Sequence, residues 1–211
     1  MSMTAPAMPD VARTVFGDAV AKAERYAGLL AGVGVEWGVI GPNEVPRIWE
    51  RHLLNSAVVA ELVPRGCSLL DLGSGAGLPG IVLAMLLPDS EVVLLEPMLR
   101  RATFLEECVA ELELANARVV RARAEQMVGE LAVDVVAARA VAPLDRLAAL
   151  AVGLLKPGGI LLAVKGAKAS AEVRDAKEAL GRLGMRDAEV LVAGSGRVDP
   201  AATVVRLTAR R

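Results

Sequence analysis

The stretch Ser68-Leu69-Leu70-Asp71-Leu72-Gly73-Ser74-Gly75-Ala76-Gly77-Leu78-Pro79-Gly80 decides the fold. A short apolar run ends on an acid, four glycines fall within the next nine residues, and an apolar helical pattern then continues to Leu87. That is the order strand, tight turn, helix. Glycine admits positive φ and has no side chain, so the N–H groups of such a turn can come close to a ligand. Gly75, Gly77 and Gly80 also satisfy G-x-G-x-x-G, the dinucleotide fingerprint.

Downstream, short apolar runs alternate with helical spacing. EVVLLEP precedes a helix predicted from Leu99 to Leu114, and ARVVRAR and VDVVAARA precede one from Leu144 to Leu154. GILLAVKG precedes a helix from Ser170 to Leu183, and closing strands follow near Ala188 to Val192 and Thr203 to Ala209. Strands separated by helices imply a parallel sheet covered on both faces. Only the loop GSGRVDPA separates the last two strands, so they should form an antiparallel hairpin. The expected class is α/β: a Rossmann-like, mostly parallel seven-stranded sheet with a C-terminal antiparallel hairpin, as in class I S-adenosylmethionine-dependent methyltransferases.

Upstream, Val11, Val15, Ala19, Ala23, Tyr26, Leu29 and Leu30 recur at helical spacing, predicting one helix over residues 10 to 32. The segment from Asn43 reads as one or two more helices, with Pro46 near a first turn and Trp49, Leu53 and Leu54 facing inward. The expected division is a helical extension packed on the core, residues 1–64, and a methyltransferase domain, residues 65–211.

Composition removes several kinds of chemistry. One His and two Cys in 211 residues cannot make a four-ligand structural zinc site, so no metal is expected. Cys67, placed in the first strand, and Cys108 read as buried small hydrophobes. Five aromatic residues are too few for modules that stack successive bases. No apolar stretch is long enough to span a bilayer and no export signal is legible, so no membrane partner and a cytoplasmic location are expected. The net charge of −1 conceals an asymmetry: residues 61 to 150 carry 8 basic and 13 acidic groups, residues 151 to 211 carry 11 and 6. Such a local excess serves a solvated face or a phosphate backbone.

Three features favour S-adenosylmethionine over a dinucleotide. Asp71 stands two residues before the first glycine, where a carboxylate suits a cationic amino acid moiety and repels a pyrophosphate. Glu96 ends the next strand, where it can take both ribose hydroxyls, a device that NAD sites share. The closing hairpin is the third. Plain strand-end polarity is the alternative for both acids, and an NAD-dependent oxidoreductase or a small-molecule methyltransferase stays open at this level.

From about Glu44 to Ala209 the chain resembles a specific family, the bacterial 16S rRNA (guanine-N7) methyltransferases, RsmG, also called glucose-inhibited division protein B. The resemblance rests on RHLLNS (Arg51 to Ser56), DLGSGAGLPG (Asp71 to Gly80), RRATFL (Arg100 to Leu105), RAE (Arg123 to Glu125), ARAVAPL (Ala138 to Leu144) and VKG (Val164 to Gly166). Many members carry Asn-Leu-Thr before the first element, whereas this chain has Glu36-Trp37-Gly38-Val39-Ile40-Gly41.

The resemblance implies methyl transfer from S-adenosylmethionine to N7 of guanine 527 in the 530 loop of 16S rRNA, with the rRNA or small ribosomal subunit as partner; a monomer is expected, although no residue pattern speaks to oligomeric state. It implies cofactor contacts at Gly73, Leu78, Glu96, Ala124, Glu125 and Arg139, to which the loop physics adds Asp71 and Gly75. It places Arg51, His52 and Lys165 at the mouth of an RNA site. Bland roles stand beside these: an ion pair with Asp134 or Asp145 for Arg139, a helix-initiating carboxylate for Glu125, a structural histidine for His52, a solvated Lys165. Guanine N7 bears its lone pair in the neutral base, so no general base is required and no catalytic residue is assigned. With stacking residues scarce, RNA recognition falls to shape, to arginine and lysine, and to Trp49 or Trp37.

Overall fold

The computed structural model describes residues 3–139 and 141–210. Its centre is a seven-stranded sheet of order β3-β2-β1-β4-β5-β7-β6, made of β1 (Ser68–Leu72), β2 (Glu91–Leu95), β3 (Ala117–Val120), β4 (Val133–Arg139), β5 (Leu155–Lys165), β6 (Met185–Ala193) and β7 (Ala202–Ala209). The first five strands run parallel. β7 lies antiparallel to β5 and β6, so the expected hairpin closes one edge.

Strand alternation sorts the core into two layers. Leu69, Val92, Leu94, Val135 and Leu162 face one side, with the N-terminal helices, α5 (Gly80–Leu86) and α6 (Leu99–Glu111). Leu70, Val93, Leu95, Val136 and Leu161 face the other, against α7 (Leu144–Val152) and α8 (Ala169–Arg182). Asp71, two residues after Leu69, therefore points toward the α5 side. Cys67 and Cys108 are buried, with Cys67 just ahead of β1 rather than within it.

The predicted helix over 10 to 32 is broken into α1 (Asp10–Phe16) and α2 (Val20–Ala31). Gly17 adopts φ +50°, outside the helical region, and a single 3₁₀ turn bridges the gap. The bend lets Phe16, Tyr26 and Leu30 all bury in the same layer as β1. Each such side chain contributes about 1.5–3 kcal/mol by leaving water. After the short α3 (Val33–Glu36), residues Pro42–Arg47 form 3₁₀ turns and Ile48–Leu54 a π-helical turn, followed by α4 (Asn55–Ala57) and another 3₁₀ stretch. Pro46 sits inside the 3₁₀ stretch, so the winding is continuous where separate helices were conceivable. The π turn faces the C-terminal ends of the parallel strands, where open α/β sheets bind ligands. Among the described residues, no helix is long and apolar enough to cross a membrane.

Candidate active site

The glycine loop leaves β1 and folds back on β2. Gly73 and Ser74 both donate backbone N–H groups to the Leu95 carbonyl, at 2.9 and 3.0 Å. Two positions have no room for a side chain. At Gly77, φ is +88° and a Cβ would lie 2.7 Å from the Tyr26 hydroxyl, which itself donates to the Ala76 carbonyl. At Gly80, a Cβ would lie 2.6 Å from the Asp71 Cβ. That closeness lets the Gly80 N–H donate to Asp71 Oδ2 at 3.0 Å, at the first turn of α5.

Asp71 is wholly buried, and its Oδ1 has no hydrogen-bond partner. Burial pushes its carboxyl up to about 7, against the opposing pull of the Gly80 N–H. The carboxylate thus stands behind the loop and does not line the cavity in front of it. Asp71 is expected from the sequence to face a cationic amino acid moiety directly or through water; the pleat turns its side chain toward α5, so no direct path to the cavity is seen.

In front of the loop lies a cavity of about 620 Å³. Its near wall is Gly73, Ser74, Gly75, Ala76 and Leu78, and its floor holds Glu96. Glu96 is buried, with Oε2 accepting the Gly75 N–H and Oε1 the Met98 N–H, both at 2.9 Å. A second, smaller space of about 170 Å³ shares Gly73, Pro97 and Val141 with the first and adds Leu72, Leu95, Ala124, Glu125 and Leu150. Val141 lies over Gly73, where a Cβ would meet its Cγ2 at 3.2 Å. The two spaces adjoin along the strand ends, the smaller one the more apolar.

The far wall comes from the π turn and β4. Arg139 donates through Nη2 to the Arg51 carbonyl at 2.8 Å and meets His52 Nδ1 at 3.2 Å; its Nη1 reaches Ser56 Oγ at 3.4 Å. Asp134 pairs instead with Lys156 at 2.9 Å, so the Arg139–Asp134 alternative fails. His52 Nε2 lies 2.8 Å from Glu44 Oε2, and the Arg51 guanidinium is 3.7 Å from the same oxygen. Burial, then the Arg139 charge, holds the His52 pKa below its ordinary value despite Glu44. Burial favours the neutral Glu44 carboxyl, yet the His52 hydrogen bond with Arg51 and Arg47 prevails and lowers its pKa.

The structure brings Gly73, Gly75, Leu78, Glu96, Arg51, His52 and Arg139 around one cavity, with Ala124 and Glu125 in the adjoining space. Lys165 lies outside both. Its ammonium pairs with Glu172 at 2.8 Å and donates to the Ala142 carbonyl at 2.7 Å, with 9% of its side chain exposed. Glu172 also accepts the Leu144 N–H, so both residues brace the turn leading into α7. Neither the RNA-contact reading nor the solvated reading of Lys165 describes this geometry.

Trp49 is likewise withdrawn: buried, edge-on to Phe16, with Nε1 donating to the Pro6 carbonyl, it offers no face to a base. Sequence reasoning missed Glu44, Met98, Arg101 and Val141 as lining residues, together with Val39, Ile40 and Gly41 of the divergent segment. Arg101 lay in plain view in RRATFL, and its Nε is buried without a partner. For Glu44 no sequence signal exists, since only the fold places it opposite His52.

Comparison with known proteins gives a consistent result. Residues 19–198 match the family model for rRNA small subunit methyltransferase G. Curated proteins of that name are similar along most of the chain: one from Thermobifida fusca is 56% identical over 207 residues, 98% of this chain and 87% of its own length. Another from Mycolicibacterium smegmatis is 50% identical over 205 residues, 95% and 86% of the two chains. A solved SAM-dependent methyltransferase from Aquifex aeolicus superposes with a TM-score of 0.61 over 82% of this chain and 97% of that one, at 18% identity, a likeness of fold.

Proposed function

From the premise that the chain belongs to the rRNA small subunit methyltransferase G family, we propose that it methylates N7 of guanine 527 in 16S rRNA, using S-adenosylmethionine. The observation that carries the reading is the single cavity in which a glycine loop and a buried carboxylate face three arginines, Arg51, Arg101 and Arg139. The first pair suits a nucleoside-bearing cofactor and the second an anionic polymer. Family membership leaves the dinucleotide reading of the same glycines without support.

The residues present fit S-adenosylmethionine. The buried Glu96 carboxylate already holds two N–H groups and retains acceptor capacity for ribose hydroxyls. The apolar space bounded by Leu72, Leu95 and Leu150 suits a heterocycle, with the Ala124 backbone and Glu125 at its edge. Arg139 keeps its Nε–H and one Nη1 hydrogen free of the three hydrogen bonds that anchor it, enough to engage a carboxylate or a phosphate. The bound cofactor would supply a methyl group on a positively charged sulfur.

The chain's own contribution is then positioning. Guanine N7 needs no deprotonation, so holding it in line, at about 3–3.5 Å, in a site cleared of water accounts for the rate. The methylated base is cationic, so a fixed positive charge against N7 would oppose the reaction. Arg51, half exposed at the rim, therefore takes guanine O6 or a phosphate and stays clear of N7. Residues 65–211 form the catalytic unit in this reading, and residues 1–64 supply the wall bearing Arg51 and His52. Methyl transfer by the purified chain to 16S rRNA or the small subunit, with the modified nucleotide mapped, tests it. A small-molecule acceptor used in place of rRNA would refute it.

A further inference from the structure

The only histidine in the chain is held between two charged partners whose donor properties differ. Arginine has no acceptor atom, so the contact between Arg139 Nη2 and His52 Nδ1 requires a bare lone pair on Nδ1. A neutral ring then carries its proton on Nε2, which donates to Glu44 Oε2. The Arg51 carbonyl and Ser56 hydroxyl complete the seat of the guanidinium. Every group in this chain of contacts is consistent with one protonation state.

We infer that Glu44 and His52 are positioning residues: they lock the imidazole as the Nε2–H tautomer, and its Nδ1 lone pair orients Arg139 toward the cofactor cavity. His52 on this account touches neither RNA nor cofactor. The inference rests on the proposed cofactor reading for the role of Arg139, while the tautomer rests on geometry alone. Protonating His52 would put an N–H against the guanidinium and remove the acceptor. The groups facing the ring are Glu44 from the Pro42–Arg47 turn, Arg139 from β4 and Arg51 from its own turn, with Arg47 acting on Glu44. The depressed pKa of His52 keeps the neutral ring in place at neutral pH and makes cofactor affinity fall on the acid side.

Because His52 is the sole histidine, ¹⁵N-histidine labelling of the whole chain reports it without assignment. The spectrum at neutral pH should show a protonated Nε2 and an unprotonated Nδ1, with ring protonation at a pH below the ordinary histidine value. Calorimetry with S-adenosylhomocysteine, between about pH 5 and 8, should show affinity dropping about tenfold or more as that protonation proceeds. Glu44→Gln retains an oxygen for Nε2–H and should keep the tautomer and the neutral-pH affinity; Glu44→Ala should lose both. A charged ring or an Nδ1–H tautomer at neutral pH, or binding that is flat across the titration, overturns the inference and leaves the cofactor reading intact. Failure to bind S-adenosylhomocysteine at any pH overturns both.

Discussion

The Glu96 carboxylate accepts the Gly75 N–H at 2.9 Å, tying the end of β2 to the middle of the glycine loop, while its second oxygen takes the Met98 N–H. Both oxygens accept, so an amide cannot replace the carboxylate without turning an NH₂ toward a donor. Glu96→Gln should weaken S-adenosylhomocysteine binding by about 10- to 100-fold, the equivalent of a charged hydrogen bond lost in a buried site. Calorimetry reads the change, and an unchanged affinity would show that Glu96 serves only the loop.

Gly80 has an ordinary negative φ, so its identity is dictated by space alone. A methyl there would lie 2.6 Å from the Asp71 Cβ and closer still to Leu94 Cδ2, well inside van der Waals contact, and neither the strand nor α5 can retreat without disturbing the core. Gly80→Ala should cost about 1–3 kcal/mol or more of stability, seen as a lower midpoint in urea with unchanged slope.

Burial raises the Asp71 carboxyl to about 7 in the folded chain, against 3.8 for the ordinary group. The folded protein therefore holds a proton that the unfolded chain releases. The stability this group contributes is complete below about pH 4 and is lost as pH rises through about 7. Asp71→Asn cannot ionise, so its stability should be flatter than the parent's across that window, by at most about 4 kcal/mol. Chemical denaturation at a series of pH values measures the difference, and parallel profiles would show that Asp71 does not carry this linkage.

Lys165 and Arg51, set together at an RNA site by the family resemblance, should separate in solution. Arg51 is half exposed at the cavity rim, so Arg51→Ala should reduce the salt slope of rRNA binding by about one. Lys165 is consumed by Glu172 and the Ala142 carbonyl, so Lys165→Met should leave that slope unchanged. Loosening the turn that carries Val141 over Gly73 should instead lower cofactor affinity.

The sheet, its hairpin and the glycine loop were legible because they depend on local signals: period-two alternation, helix-length spacers and glycines at a strand end. Glu96, read from its place at a strand end, and Arg139, taken from the family resemblance, both line the cavity beyond the parallel strands. Lys165 stands at the equivalent end of β5, and neither that placement nor the family resemblance says which neighbour its side chain meets. Its partner Glu172 lies on the following helix. The position of Asp71 on its strand was clear from the sequence, whereas the contact with the Gly80 N–H required the register of the pleat. The break at Gly17 and the π turn of Ile48–Leu54 are departures from a smooth helical period, and apolar spacing alone cannot signal them.

In the proposed function, this cavity delivers a methyl group to one ring nitrogen of one guanine. The direct measurement is nucleotide-resolution mapping of N7-methylguanine in 16S rRNA after incubation with the purified chain and S-adenosylmethionine, using substrate from cells that lack the protein. A single new mark at guanine 527, absent with Glu96→Gln at limiting cofactor, is the predicted result; no mark there, or methylation confined to another position, would contradict the account.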